Sequence, residues 1–167
     1  MDSRSPYVYD KAKYHYETVE GDGLSDEHAA NHTVMFLRWL IENGQMSDFF
    51  KQEGEEPLQK FRAGEVSIHE IYEWWDCCLI DDMLSDEGNA FAMYYFDFDR
   101  GRYMQDYTST LQGNLPSEYH IKYSEENYQK LRPVIDDRYA KWKNRKDEQE
   151  SRKDQEQTPT KKWWWPF

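Results

Sequence analysis

Residues 25–44 spell a helix with almost no side to turn toward water. Ser25 can cap its start, and Asp26 and Glu27 sit where the positive end of a helix dipole favours acids. Ala29, Thr33, Phe36, Leu37, Leu40 and Ile41 recur at helical spacing and form one broad apolar face. Met35 and Trp39 occupy a second side, which leaves only Glu27, Asn31, Arg38 and Glu42 as a polar stripe before Gly44 ends the run. A helix apolar over most of its circumference must be covered by several neighbours. The chain is therefore expected to build a multi-helix fold around this segment.

The neighbours carry helix signals of their own. Ser47 opens a short turn through Phe49 and Phe50, and Pro57 suits the first position of a piece ending near Gly64. Ser67 and Glu70 have capping-box spacing, after which Ile68, Ile71, Tyr72, Trp75 and Leu79 line one face. Ser85 with Asp86 and Glu87 opens a helix through Ala90, Phe91, Tyr94 and Tyr95. Ser124 starts a turn that Pro133 is expected to interrupt, with Val134, Ile135, Tyr139 and Trp142 continuing a stripe toward Lys146. Strand signals are confined to Tyr7–Tyr9, Tyr14–Tyr16 and Tyr119–Tyr123. The expected fold class is mainly α, with at most a small hairpin or short sheet. Residues 1–146 form its single domain. From Asp147 the chain turns polar and is read as a disordered tail, 147–167, with too little to bury to offset its ordering entropy.

Charge narrows the function. The chain carries a net charge of −12, and 28 acids against 17 bases in residues 1–146 put most of that on the domain. Such a field opposes DNA and RNA and favours a cationic protein partner or a metal ion. Aromatic residues are abundant (7 Trp, 13 Tyr and 8 Phe) and supply both core bulk and interface anchors. The two cysteines, Cys77 and Cys78, are adjacent and cannot form a relaxed disulfide with each other. They read as inert thiols in the middle of a helix. No apolar run approaches the ~20 residues of a membrane span, and the first ten residues lack a signal-peptide core. A cytoplasmic protein is expected.

Chemistry-bearing patterns are sparse. His28 and His32 are four apart and could share one metal ion from one helix face, with His15, His69, His120 or an acid as further ligands. Packing in a partly buried interface explains the pair better, so neither metal nor cofactor is expected. Asp97 to Gly101 begins like a calcium loop, but Gly101 falls where the third ligand belongs and Thr108 where the closing acid should be. There is no phosphate-binding glycine loop, nucleophile elbow or Cys-x-x-Cys. The residues expected to meet a partner are Asp81, Asp82, Asp86, Glu87, Asp97 and Asp99, together with Trp163, Trp164, Trp165 and Phe167 at the C-terminus. Those last four, after Lys161 and Lys162, read as a docking segment with at most weak membrane-interface contact.

Four stretches carry a resemblance: YDKAKYHY at residues 9–16, HTVMFLRWLI at 32–41, DDMLSDEGNAFA at 81–92 and PVID at 133–136. From about Tyr9 to Trp142 the chain resembles a family of small acidic bacterial proteins whose domain has no assigned function. It departs at Tyr14, where that family usually has Trp, and at Val34, where Gly is usual. By analogy with other compact acidic domains, the resemblance implies an immunity protein that neutralises a basic toxin domain. The alternative is a metal-dependent or acid–base enzyme using His28 and His32, with His15 or His120, and acids near Asp82.

Overall fold

The computed structural model describes residues 4–157. At its centre is α2 (Asn31–Glu42), in which ten of twelve residues are buried, as the sequence pattern requires. Its beginning differs from expectation. Asp26–Ala29 is a separate 3-10 turn, and Ser25 is extended with no side-chain capping bond. Gly44 ends the helix with φ +67°, a conformation open to glycine at no steric cost. Phe36 lies parallel to Phe96, with ring centroids 4.7 Å apart, and its other neighbours include Trp39, Phe91, Tyr95 and Tyr103. The aromatic surplus thus serves first to fill the core.

Eight α-helices occur among the described residues. Besides α2 they are α1 (Tyr16–Gly21), α3 (Asp48–Glu53), α4 (Glu55–Arg62), α5 (Ile68–Trp74), α6 (Asp86–Tyr95), α7 (Tyr103–Leu111) and α8 (Glu125–Gln157). Ser47 and Ser85 cap α3 and α6 as the sequence indicates, whereas Pro57 falls at the third position of α4 rather than the first. The Ser67–Glu70 capping box is complete, each side chain accepting from the other residue's backbone N–H. Ser67→Ala should therefore lower stability by about 1 kcal/mol, measurable by urea denaturation.

α5 stops before the predicted stripe does. Asp76 and Cys77 adopt φ of 56° and 52°, which turn the chain out of the helix. Cys78–Ile80 then forms β2, antiparallel to β1 (Val8–Lys11). Leu79 is buried through the sheet instead of a helix face, and the cysteines lie in a turn and a strand rather than mid-helix. Both are half-buried, and burial pushes both thiols up. The two-stranded sheet is the small one anticipated. Tyr14–Tyr16 and Tyr119–Tyr123 are not strands: the former passes from a 3-10 turn (Ala12–Tyr14) into α1, and the latter begins in another (Glu118–His120). In both, a turned backbone brings side chains to the interior that an extended one would keep apart.

α7 gave no clear sequence signal, yet it buries Tyr103 and Tyr107 one turn apart. α8 passes through Pro133 without breaking. Buried Tyr128 and Leu131 precede the proline and buried Ile135 follows it, while the Trp39 indole N–H donates to Asp136 at 2.8 Å. These contacts on both sides outweigh the lost backbone bond. α8 also runs on past Asp147, the expected start of the tail, to Gln157. Residues 147–157 continue α8 although all are exposed. Their Glu, Gln, Lys and Arg content is good helix material, and extending an existing helix avoids the cost of nucleation. The predicted docking residues Trp163, Trp164, Trp165 and Phe167 lie outside the described residues. No described helix is long and apolar enough to cross a membrane.

Candidate functional site

A bulge in the small sheet decides the most unusual feature of the interior. In a regular strand successive side chains alternate faces, but the β1–β2 register slips between Val8 and Asp10. As a result Tyr9 and Asp10 are both buried. Asp10, fully enclosed, becomes the hub of a polar cluster. The turn at Ala12–Tyr14 brings His15 back, so that its Nε2 lies 2.7 Å from Asp10 Oδ1. The start of α2 supplies the other side: His32 Nε2 is 3.0 Å from Oδ2, and the Thr33 hydroxyl donates to the same oxygen at 2.6 Å.

A second layer holds the histidines. Tyr119 places its hydroxyl 2.8 Å from His15 Nδ1, while its carbonyl accepts from His28 Nδ1 at 2.6 Å. Tyr103 donates to the His32 carbonyl. The His15 and His32 rings meet edge to face at 4.9 Å, with Phe98 about 6 Å from each. Burial pushes the Asp10 carboxyl up, but hydrogen bonds from His15 and His32 outweigh it and hold the group down at about 2. The cluster is thus a buried carboxylate between two imidazoles. One ligand atom from each of Asp10, His15 and His32 lies within 4.8 Å of the others, close enough to share one metal ion.

Beside this cluster, across Ala12 and Ala30, opens a cleft of about 370 Å³. Asp26, Glu27 and Glu73 supply three carboxylates, Tyr16 and Tyr123 supply aromatic surface, and no lining residue is Lys or Arg. His69 lines it as well, 3.5 Å from Glu27 and bonded to Asn31 at 2.9 Å. Burial lowers the proton affinity of His69 despite the acids beside it. The buried hydroxyl of Tyr72, another lining residue, has no hydrogen-bond partner among the described residues. The arrangement suits a positively charged group with an apolar stem.

The predicted site residues are distributed otherwise. His28 and His32 do not converge, because the break between the 3-10 turn and α2 spoils their four-residue spacing: one meets Tyr119, the other Asp10. His120 pairs with Ser117. No histidine forms an ion pair with Asp81, Asp82 or Asp86 among the described residues. Of the acid run, Asp81 accepts from the Tyr7 backbone and pairs with Arg4. Asp97 is buried, accepting from the Tyr7 hydroxyl and from the N–H groups of Asp99 and Arg100. Glu87 turns to α8, where Lys143 and then Tyr139 hold its carboxyl down at about 2. Asp82, Asp86 and Asp99 remain exposed. Sequence reading missed Asp10 as a functional acid and missed the cleft. The one available signal for Asp10 was a lone acid ending an aromatic, strand-like run.

The chain belongs to the family described as Domain of unknown function (DUF7832), whose model matches residues 8–121. The matched span includes Asp10, His15, His32 and every lining residue of the cleft except Tyr123. No curated protein and no solved structure matches the chain.

Proposed function

We propose that this protein is a non-catalytic, cytoplasmic binding domain of the immunity-protein kind, which neutralises a toxin by capturing a basic protein surface. The cleft walled by Asp26, Glu27 and Glu73 carries the reading. An Arg or Lys side chain of the partner would lay its stem against Tyr16 and Tyr123 and place its charge among the carboxylates. The net charge of −12 would speed encounter with a cationic partner. Asp82, Asp86 and Asp99 add exposed acids to the same field, while Asp81, Glu87 and Asp97 serve mainly the fold.

Co-expression with the product of the adjacent open reading frame tests the proposal. The parent protein should relieve growth arrest and co-purify with that product. Glu27 and Glu73 are exposed, so the Glu27→Lys, Glu73→Lys double variant should keep its melting temperature and lose both effects. Rim charges act chiefly on association rate, so the loss should be strongest at low ionic strength and shrink as salt screens the charges. Undiminished protection by the double variant would reject the cleft as the binding site. A parent that neither binds nor protects would reject the function.

A further inference from the structure

We infer that Asp10, His15 and His32 form a binding site for one divalent first-row transition metal ion, of the type that accepts Zn²⁺. The inference is independent of the partner reading and rests on the donor set. Two imidazoles with one carboxylate match borderline metals such as zinc, cobalt and iron(II), and suit calcium or magnesium poorly. The three residues come from a strand, a turn and a helix, so the tertiary fold alone assembles them.

Charge supports the same assignment. Asp10 is fully buried, and no Lys or Arg pairs with it among the described residues. A carboxylate enclosed beside two imidazoles that can be neutral has no permanent countercharge, and a divalent ion would supply one. The carboxylate-to-nitrogen distances require little adjustment, and all three ligand atoms lie within 4.8 Å of one another. Zinc ligands about 2.0–2.1 Å from the ion in a tetrahedron stand roughly 3.3 Å from one another. Here the carboxylate-to-nitrogen separations are 2.7 and 3.0 Å, so each ring would withdraw by a few tenths of an ångström. His15 has room to do so, since it sits at a turn and its side chain is 15% exposed.

The surrounding bonds tolerate the exchange. With both rings neutral and no metal bound, each Nε2–H would donate to Asp10, and His15 Nδ1 would accept from the Tyr119 hydroxyl. With metal, both rings would give up Nε2–H, the proton of each moving to its own Nδ1; for His15 the Tyr119 hydroxyl oxygen becomes the acceptor. Such a second partner orients a ligating histidine. Thr33 holds the carboxylate in the same way, by its bond to Oδ2. The protein supplies three donors, so water would complete a four-coordinate site from the His15 side.

The test uses the full chain, stripped with a chelator and titrated with Co²⁺. One equivalent should bind with the visible bands of low-coordinate cobalt, be displaced by Zn²⁺, and leave the protein several degrees more heat-stable. His15→Gln should abolish the bands and the thermal shift. Tyr119→Phe should weaken affinity by about tenfold, and a His120→Gln variant should bind like the parent. If His15→Gln fails to fold by circular dichroism, the Tyr119→Phe affinity decides alone. Absence of binding by the parent, unchanged binding by His15→Gln, or unchanged affinity of Tyr119→Phe where it alone decides would overturn the inference.

Discussion

Asp10→Ala should destabilise the protein by about 3–5 kcal/mol, a fall in melting temperature on the order of 10 °C for a chain of this size. The substitution removes the acceptor for three buried donors: His15 Nε2–H, His32 Nε2–H and the Thr33 hydroxyl. Buried donors left unmet cost more than the bonds themselves contribute. Asp10→Asn keeps the volume and one good acceptor, and should cost roughly half as much. The parent also has a characteristic acid limb. Because the Asp10 carboxyl is held at about 2 against an ordinary 3.8, its charged form favours the folded state. That contribution is complete above pH 4 and disappears as pH falls from about 4 to 2. Urea denaturation across this range should show Asp10→Ala losing about 2 kcal/mol less than the parent. Equal losses in the two proteins would mean that Asp10 does not carry the acid limb.

Gly101→Ala should be comparably severe, at about 3 kcal/mol or more. A Cβ at position 101 would stand 1.9 Å from the Tyr95 carbonyl oxygen and 2.4 Å from its carbon, with the Asp97 carbonyl oxygen at 2.9 Å. All three are backbone atoms, so no side-chain rotation relieves the overlap. The obstructed turn joins α6 to α7, and the Gly101 N–H donates to the Asp97 carbonyl at 2.7 Å within it. Displacing it would pull Tyr95 and Tyr103 away from Phe36. Gly21→Ala is the matched comparison: a Cβ there meets nothing within 4 Å, and the change should leave stability equal or slightly higher. Thermal denaturation of the two variants side by side makes the comparison. Near-equal melting temperatures would refute the steric argument. The same geometry explains the calcium-like residues 97–101: Asp97 ties backbone N–H groups, and Gly101 permits a close approach.

Local chemistry was legible wherever it was sufficient. Ser47, Ser67, Ser85 and Ser124 each accept from a backbone N–H at a helix start, because a cap is decided within three or four residues. The burial of α2 followed from its pattern for a similar reason, since an apolar circumference leaves no other outcome. Aromatic content likewise announced the packing around Phe36. Periodicity misled where an apolar run crossed a change of structure. Leu79 continues the α5 stripe by spacing, yet it belongs to β2, because positive φ at Asp76 and Cys77 ends the helix first. Composition alone did not reveal that α8 passes Asp147, since a polar segment gains enough from a helix already formed to continue it to Gln157.

The candidate sites depended on what no local pattern contains. His15 and His32 are separated in sequence, and Asp10 carries no mark distinguishing it from the other acids until the bulge in β1 turns it inward. His28 and His32 have a promising spacing, but it has meaning only on an unbroken helix, and the turn at Asp26–Ala29 breaks it. The acids of the cleft come from two distant segments joined only by packing, whereas the conspicuous run near Asp82 is partly consumed by caps, strand ends and α8. The sequence by itself thus determined α2 to α6 and α8, the caps at Ser47, Ser67, Ser85 and Ser124, and the identity of the central helix, because these depend on neighbours a few residues apart. The tertiary structure alone decided which acid met which histidine and which carboxylates remained free, because strand register and helix breaks set those distances across the whole chain.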